Sequence, residues 1–143
     1  MTTYRILPIL FLAAVATAAS ADDRIAAKAP GVEAEMRGDG SVSVKVDVRD
    51  GEQWLSLEDS RQAGTIACKG RHVSISGKRN RLTLTGDCPF LDVSGDGNEI
   101  TVEALGELSL AGDGNRVAWK RAVVGGAPEV SDSGDDNVVK RAD

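Results

Sequence analysis

Residues 91–102 read Leu-Asp-Val-Ser-Gly-Asp-Gly-Asn-Glu-Ile-Thr-Val, and this stretch decides the fold. Apolar residues alternate with small or polar ones on both sides of a Gly-Asp-Gly-Asn corner. Alternation with a period of two is typical of a half-buried strand, and glycine-rich segments mark sharp turns. The stretch therefore predicts two short strands joined by a tight corner.

This unit recurs along the chain, at residues 73–84, 108–119 and 130–141. The corners share an asparagine, and these residues are separated by 18, 17 and 22 positions: Asn80, Asn98, Asn115 and Asn137. A glycine precedes each asparagine by three positions: Gly77, Gly95, Gly112 and Gly134. The strand positions that face one side are apolar in every copy, except at Asp132 and Arg141 in the last one.

A near-constant period with two strands per unit is typical of a solenoid, because no unit can bury its apolar face without a neighbour. We therefore predict an all-β fold, a small parallel β-solenoid resembling a β-helix, with coils of about 18 residues. Asparagine tolerates left-handed backbone geometry, and stacked asparagine amides can bond along a ladder. Six coils would extend about 30 Å.

An antiparallel barrel or sandwich built from hairpins is the structural alternative, because Gly-Asp-Gly-Asn also suits a hairpin loop. The two polar exceptions, Asp132 and Arg141, favour the solenoid. Both fall in the last unit, where a terminal coil needs polar groups to cap the core.

The N-terminal part carries the features of a secretory signal peptide over residues 1–21. One cation, Arg5, precedes an apolar run, and Ala19-Ser20-Ala21 supplies the small residues of a cleavage site. The run is too short for a transmembrane helix, so we expect no stable membrane span after cleavage. We predict export to the periplasm or the cell exterior.

The remaining chain divides into a short segment and one domain. Residues 22–30 are predicted to form a short tail or a capping helix, and residues 31–143 a single β-repeat domain with regular repeats over 66–141. Residues 31–65 resemble the repeats only loosely, because the apolar positions after Gly38 come one residue early. The corner in that segment must therefore differ.

The chain contains two cysteines, Cys68 and Cys88, and in an exported protein these are expected to form a disulfide. A metal-binding thiol pair would need a shorter spacing and neighbouring histidines. The net charge is −5 and basic residues are not concentrated enough in any stretch to attract a nucleic-acid backbone, so we expect no nucleic-acid partner.

Several motifs together resemble the secreted bacterial family catalogued as domain of unknown function 3060. They are Ile66-Ala67-Cys68, Val-Ser-Ile-Ser-Gly-x-x-Asn at 73–80, Leu-Thr-Leu-Thr-Gly-Asp-Cys at 82–88, and Val-Ser-Gly-Asp-Gly-Asn-x-Ile-Thr-Val at 93–102. The resemblance covers about residues 66–139. It implies export and a repeat-built β fold, and it brings no activity, cofactor or catalytic residue.

Calcium binding is one candidate chemistry, because calcium-binding β-rolls also use turn aspartates. The candidate ligands are Asp96, Asp113, Asp135 and Asp136. The corner at Gly77 has Lys78 and Arg79 where ligands would be needed, and aspartate is common in turns for local hydrogen bonding. We expect no metal and no cofactor.

A polysaccharide-cleaving enzyme is the other candidate, and it would need paired carboxylates and aromatic platforms. Beyond the signal peptide the aromatic residues are Trp54, Phe90 and Trp119, and Trp119 occupies an inward position. The single histidine, His72, is predicted to point outward into solvent without a catalytic partner. We therefore expect a non-enzymatic protein of structural or binding role, with a cell-envelope protein or polysaccharide as partner.

Overall fold

The structure, a computed structural model, describes residues 13–17, 24–29, 32–37 and 41–143, with side chains from Val44 onward except Arg49. These residues form twelve strands in one sheet and no helix. The strands are β1 (Ala13–Thr17), β2 (Arg24–Ala29), β3 (Val32–Arg37), β4 (Ser41–Arg49), β5 (Glu52–Leu57), β6 (Ala63–Ala67), β7 (His72–Ser76), β8 (Arg81–Ser94), β9 (Glu99–Ala111), β10 (Arg116–Ala122), β11 (Glu129–Asp132) and β12 (Val138–Arg141).

From β5 onward the chain winds as a parallel β-solenoid with two faces. The first face stacks β6, the start of β8, the start of β9, β10 and β12, all parallel. The second face stacks β5, β7, the end of β8, the end of β9 and β11, also parallel. This confirms the predicted parallel solenoid with coils of about 18 residues, although it has about five turns and not six.

The N-terminal strands do not continue this winding. β3 pairs with β6 and β4 pairs with β5, both antiparallel, so each face is extended by a strand that runs in the opposite direction. The reversal occurs at Asp50-Gly51, where φ is 52° and 84°. An Asp-Gly pair with positive φ at both residues favours a two-residue antiparallel hairpin. Hairpins thus form part of the fold, whereas the Gly38 corner, where the apolar phase changes, lies outside the described residues.

The prediction of a tail or capping helix at residues 22–30 is wrong for its described part. Arg24–Ala29 forms β2, which pairs antiparallel with β3. Pairing with a neighbouring strand outweighs the weak helix propensity of this Ala-rich segment. Of the predicted signal peptide, only β1 lies within the described residues, and it pairs antiparallel with β4.

The core lies between the two faces and consists of the inward residues of each strand. Alternation along β7 and at the two ends of β8 buries every second residue, as the sequence pattern predicts. Trp119 and Val139 are partly buried and pack against this core. The buried apolar residues include Leu55, Leu57, Ile66, Val73, Ile75, Leu82, Leu84, Leu91, Val93, Ile100, Val102, Leu105, Leu108, Leu110 and Val117.

Candidate functional site

The corner asparagines form a ladder inside the solenoid. Asn80, Asn98 and Asn115 are at most 1% exposed. The backbone N–H of Asn80 donates to Asn98 Oδ1 at 3.0 Å, and the N–H of Asn98 donates to Asn115 Oδ1 at 3.0 Å. The Asn98 amide also donates from Nδ2 to the carbonyl of Gly77, at 3.0 Å. The amide groups of these side chains are therefore used in hydrogen bonds between coils.

Gln62 is a ladder member that the sequence analysis missed. It lies 18 residues before Asn80, is 3% exposed, and donates its backbone N–H to Asn80 Oδ1 at 2.9 Å. The repeat spacing was the available signal, but glutamine stands where the other copies have asparagine. The ladder therefore begins one coil earlier than the sequence pattern indicated.

The asparagines do not themselves adopt left-handed backbone geometry, contrary to one reason given for them above. In each corner the residue directly before the ladder position does so. The φ values are 60° at Arg61, 58° at Arg79, 66° at Gly97, 66° at Gly114 and 56° at Asp136. Asparagine is thus required at these corners for its side-chain hydrogen bonds.

The corner aspartates also bond along the stack. Asp96 Oδ1 accepts from the N–H of Asp113 at 3.3 Å, and Asp113 Oδ1 accepts from the N–H of Asp135 at 2.9 Å. Lys78 Nζ lies 2.7 Å from Asp96 Oδ2. The Lys78 hydrogen bond, then the Asp113 N–H and the Lys78 charge, lower the pKa of the Asp96 carboxyl from its ordinary 3.8.

These bonds give the Asp96 and Asp113 carboxylates a structural role in the turns, and Asp135 contributes its backbone N–H. The remaining candidate, Asp136, is the left-handed residue of the last corner. Within the described part of the chain, no three His, Cys, Asp or Glu side chains are grouped where they could hold a metal ion.

The predicted disulfide is present between Cys68 and Cys88, with a Cα–Cα distance of 5.3 Å, and both residues are fully buried. It lies beside a short loop, residues 69–71, that three backbone hydrogen bonds also hold. Cys68 N donates to Thr85 O at 2.9 Å, Gly70 N to Asp87 O at 2.8 Å, and Arg71 N to Cys68 O at 3.0 Å. The disulfide corner is therefore held by one covalent bond and three backbone hydrogen bonds.

Next to this corner, Trp54, His72 and Phe90 hold the same outward position on three successive coils. Trp54 pairs with His72 in the β5–β7 register, and the next coil places Phe90 beside His72. The ring centroids of Trp54 and His72 are 4.8 Å apart, those of Trp54 and Phe90 5.5 Å, and those of His72 and Phe90 5.7 Å. The structure thus assembles an aromatic cluster that the sequence analysis did not predict.

The prediction that His72 points freely into solvent is wrong. Its register position is outward as predicted, but its side chain is only 18% exposed because it packs against the two other rings. His72 Nδ1 is 3.1 Å from Glu52 Oε2, but the two atoms form no hydrogen bond. His72 is therefore a packed member of a site, and it is not freely solvated.

One of these rings, His72, lines a groove of about 400 Å³. Its lining joins the β4–β5 hairpin to the disulfide corner and consists of Gly51, Glu52, Gln53, Lys69, Gly70, Arg71, His72 and Pro89. Arg71 Nε donates to Gln53 Oε1 at 2.9 Å, whereas Arg71 Nη1 is buried without a hydrogen-bond partner. The lining therefore holds the Arg71 side chain, fixed through Nε, near the His72 ring.

The lining is made of charged and polar side chains, one imidazole ring, two glycines and a proline. Nucleophilic catalysis needs a hydroxyl or thiol beside a base, and the lining residues around His72 include no serine, threonine or cysteine. Pockets that bind small molecules combine apolar or aromatic surface with a few fixed polar groups, which is the combination found here.

Comparisons with known proteins identify a family and nothing more specific. No curated protein and no solved structure matches the chain significantly. Within the described residues there is no helix of the length and apolarity needed to cross a membrane. A family model described as "Protein of unknown function (DUF3060)" matches residues 75–139. This confirms the resemblance found in the sequence: residues 75–139 are similar to the DUF3060 family of proteins of unknown function.

Proposed function

We propose that the protein is exported and acts as a non-enzymatic binding protein, with the groove beside the disulfide as its binding surface and a cell-envelope polysaccharide as its partner. The observation that carries the proposal is the aromatic cluster of Trp54, His72 and Phe90 next to the groove. Aromatic rings supply apolar contact area to the faces of sugar rings, and Tyr, Trp and Arg dominate binding hot spots.

The repeated corners are less suited to be the binding surface, because their polar side chains already bond to neighbouring coils. The corner amides and the carboxylates of Asp96 and Asp113 bond to neighbouring coils, so they serve the stack. The aromatic cluster, in contrast, does not repeat along the solenoid: the position of Phe90 continues as Glu107 and Glu129. A feature that departs from the repeat needs a reason other than coil stacking.

Export is supported by the signal-peptide features of residues 1–21 and by the buried disulfide, because disulfides persist in oxidising compartments. Mass spectrometry of the protein from the exported fraction should find a chain that begins at Asp22. An intact Met1 on protein from the cytoplasmic fraction would contradict export.

Binding can be measured with the protein's own fluorescence, because the chain has only two tryptophans. The Trp119→Leu variant leaves Trp54, beside the groove, as the only tryptophan. We expect oligosaccharides from the cell envelope to shift its emission in a saturable way. The converse variant, Trp54→Leu, leaves only Trp119 on the other face and serves as the matched control, which should not respond.

Two results would overturn the proposal. One is an emission response that is equal in the two variants, which would place binding away from the groove. The other is hydrolysis of the oligosaccharide by the mature protein with loss of that activity in Glu52→Gln, which would establish an enzyme.

A further inference from the structure

We infer that the protein has a second binding site, for a phosphate group, between Arg61 and Arg79. The two arginines lie at the corners that contain Gln62 and Asn80, where the chain passes from the second face to the first. The groove beside the disulfide lies at the opposite turn, between the first face and the second. The phosphate site is therefore separate from the saccharide-binding surface proposed above.

Arg61 and Arg79 occupy a backbone position that does not suit arginine. Both have left-handed geometry, with φ of 60° and 58°. Later corners place Gly97, Gly114 and Asp136 there, and glycine and aspartate tolerate this geometry better than a long side chain does. Strained residues that persist in a fold cluster at functional sites. The two arginine side chains therefore need a reason other than the turn.

The hydrogen bonds of the corner do not supply that reason. The N–H groups of Arg61, Arg79 and Gly97 each donate to a carbonyl of the next coil at 2.9 Å. Glycine thus makes the same bond as arginine at this position. In the part of the chain that the structure describes, no hydrogen bond or ion pair joins the side chain of Arg61 or Arg79 to another residue. Both side chains are left for a ligand.

A groove of about 280 Å³ brings these cations together. Its lining includes Arg61, Arg79 and Arg81, and the one carboxylate in the lining, Glu99, is 3.0 Å from Arg81 Nε. Arg61 and Arg79 are therefore the two lining cations without a counter-ion inside the groove. Both residues are exposed, and neither has a buried side-chain atom without a partner, so their guanidinium groups can reach a ligand.

The chain around this groove is cationic, although the protein has a net charge of −5. Between Asp59 and Asp87 there is no acidic residue, and the basic residues are Arg61, Lys69, Arg71, Lys78, Arg79 and Arg81. Arg61 and Arg79 directly precede two ladder residues that are bonded to each other, so they hold the same position on adjacent coils, about 4.8 Å apart. Like charges at such a spacing repel, and an anion between them removes the repulsion.

Two guanidinium groups on adjacent coils favour a phosphate group over a carboxylate. Each guanidinium presents parallel N–H donors that match two oxygens. One such fork occupies both oxygens of a carboxylate, whereas a phosphate monoester has three terminal oxygens and about two negative charges at pH 7. It can therefore accept from both arginines at once. The diester phosphates of nucleic acid need a row of cations, which the acidic coils after Asp87 do not supply.

Calorimetric titration of the protein with inorganic phosphate tests the site. We expect saturable binding that weakens as sodium chloride is added. Arg61→Gly and Arg79→Gly, which introduce the residue of the later corners, should each weaken binding about tenfold or more. Their melting temperatures should stay about the same, because relief of left-handed strain offsets the greater freedom of glycine in the unfolded chain. A marked fall in both melting temperatures would show that the arginines serve the fold, and it would overturn the inference.

Arg116→Gln is the matched control for charge. Arg116 is an exposed arginine that directly follows the corner residue Asn115, two coils beyond Arg81. The substitution removes the same charge as the test variants, and phosphate binding should not change. An equal loss of affinity in Arg116→Gln would show a general effect of net charge and would count against a site at Arg61 and Arg79.

Vesicles distinguish a lipid headgroup from a soluble phosphate compound as the source of the group. For a lipid, the protein should sediment with phosphatidylcholine vesicles that contain phosphatidic acid and not with phosphatidylcholine alone, and the double variant Arg61→Gly, Arg79→Gly should stay in solution. For a soluble compound, inorganic phosphate binds and neither vesicle does. Either result supports the site. Binding of neither probe, or binding that the double variant retains in full, would overturn it and leave the saccharide proposal untouched.

Discussion

Asn98 occupies the centre of the ladder, and its contribution to stability can be isolated. Its Oδ1 accepts from Asn80 N, and its Nδ2 donates to Gly77 O and to Asn115 Oδ1, each at 3.0 Å. Asn98→Ala should lower the free energy of unfolding by about 2 kcal/mol or more, because buried partners are left unsatisfied. Urea titration measures this loss.

Glu99→Ala is the neighbouring control for this substitution. Glu99 is exposed and lies 3.0 Å from Arg81 Nε, and such surface pairs contribute about 0.2–1 kcal/mol. If both variants lost the same small amount of stability, the ladder would be energetically unimportant and the prediction would be wrong.

Gly95 and Gly114 test two different reasons for glycine at the corners. One is the lack of space for a Cβ atom, and the other is a left-handed backbone angle. Its φ is 113°, and a Cβ built on it would overlap the carbonyl of Gly77 in the preceding coil. Gly114 has φ of 66° and no heavy atom near its Cβ position. Gly95→Ala should therefore open the stack and destabilise strongly, whereas Gly114→Ala should cost about 1 kcal/mol for left-handed geometry alone. Melting temperatures that fall equally would contradict this distinction.

At the scale of an element, the disulfide closes the bend of β8 against the end of β6. The two cysteines are 20 residues apart, and a cross-link of that length contributes about 3 kcal/mol by restricting the unfolded chain. The double variant Cys68→Ala, Cys88→Ala should lose about this amount in urea titration. A reducing agent should destabilise the native protein and leave the double variant unchanged.

Two observations would count against this account of the disulfide. One is an unfolding midpoint that does not respond to the reducing agent. The other is that, in protein from the exported fraction, both thiols react with an alkylating reagent before reduction.

At the scale of the whole molecule, the coils differ in how many neighbours they have. β8 and β9 are paired on both sides, whereas within the described residues β11 and β12 are paired on one side only. Arg141 lies over the Trp119 ring at 5.6 Å, and Asp132 accepts from Asn137 Nδ2 at 2.7 Å, so polar groups cover this end.

Hydrogen exchange should follow this difference in pairing. Amides of residues 138–141 should exchange fastest among the strands of the solenoid, and those of residues 100–102 slowest, because local opening is easier where fewer contacts must break. Exchange rates measured by NMR test this directly. Equal protection in the two segments would show that the last coil opens only with the whole solenoid.

The repeat could be predicted from the sequence because it depends on residues that lie close together in the chain. Alternation around each corner fixes which side chains face inward, and the asparagine spacing fixes which residues become neighbours, so the register followed. The Cys68–Cys88 pairing followed from the presence of only two cysteines in a chain expected to be exported. The same reasoning failed for residues 24–29 and for the reversal at Asp50-Gly51 as a boundary of the solenoid. There the strands pair with partners that no periodic pattern specifies.

The candidate site shows most clearly which features follow from the sequence and which follow from the tertiary structure. By itself the sequence determined the coil, its buried positions and its corner hydrogen bonds, because these depend on residue type at a fixed spacing. Only the tertiary structure decided that Trp54, His72 and Phe90 form one cluster and that Arg71 stands beside it. Those rings differ in type on each coil, so they form no sequence repeat, and stacking of the coils is the physical step that brings them together.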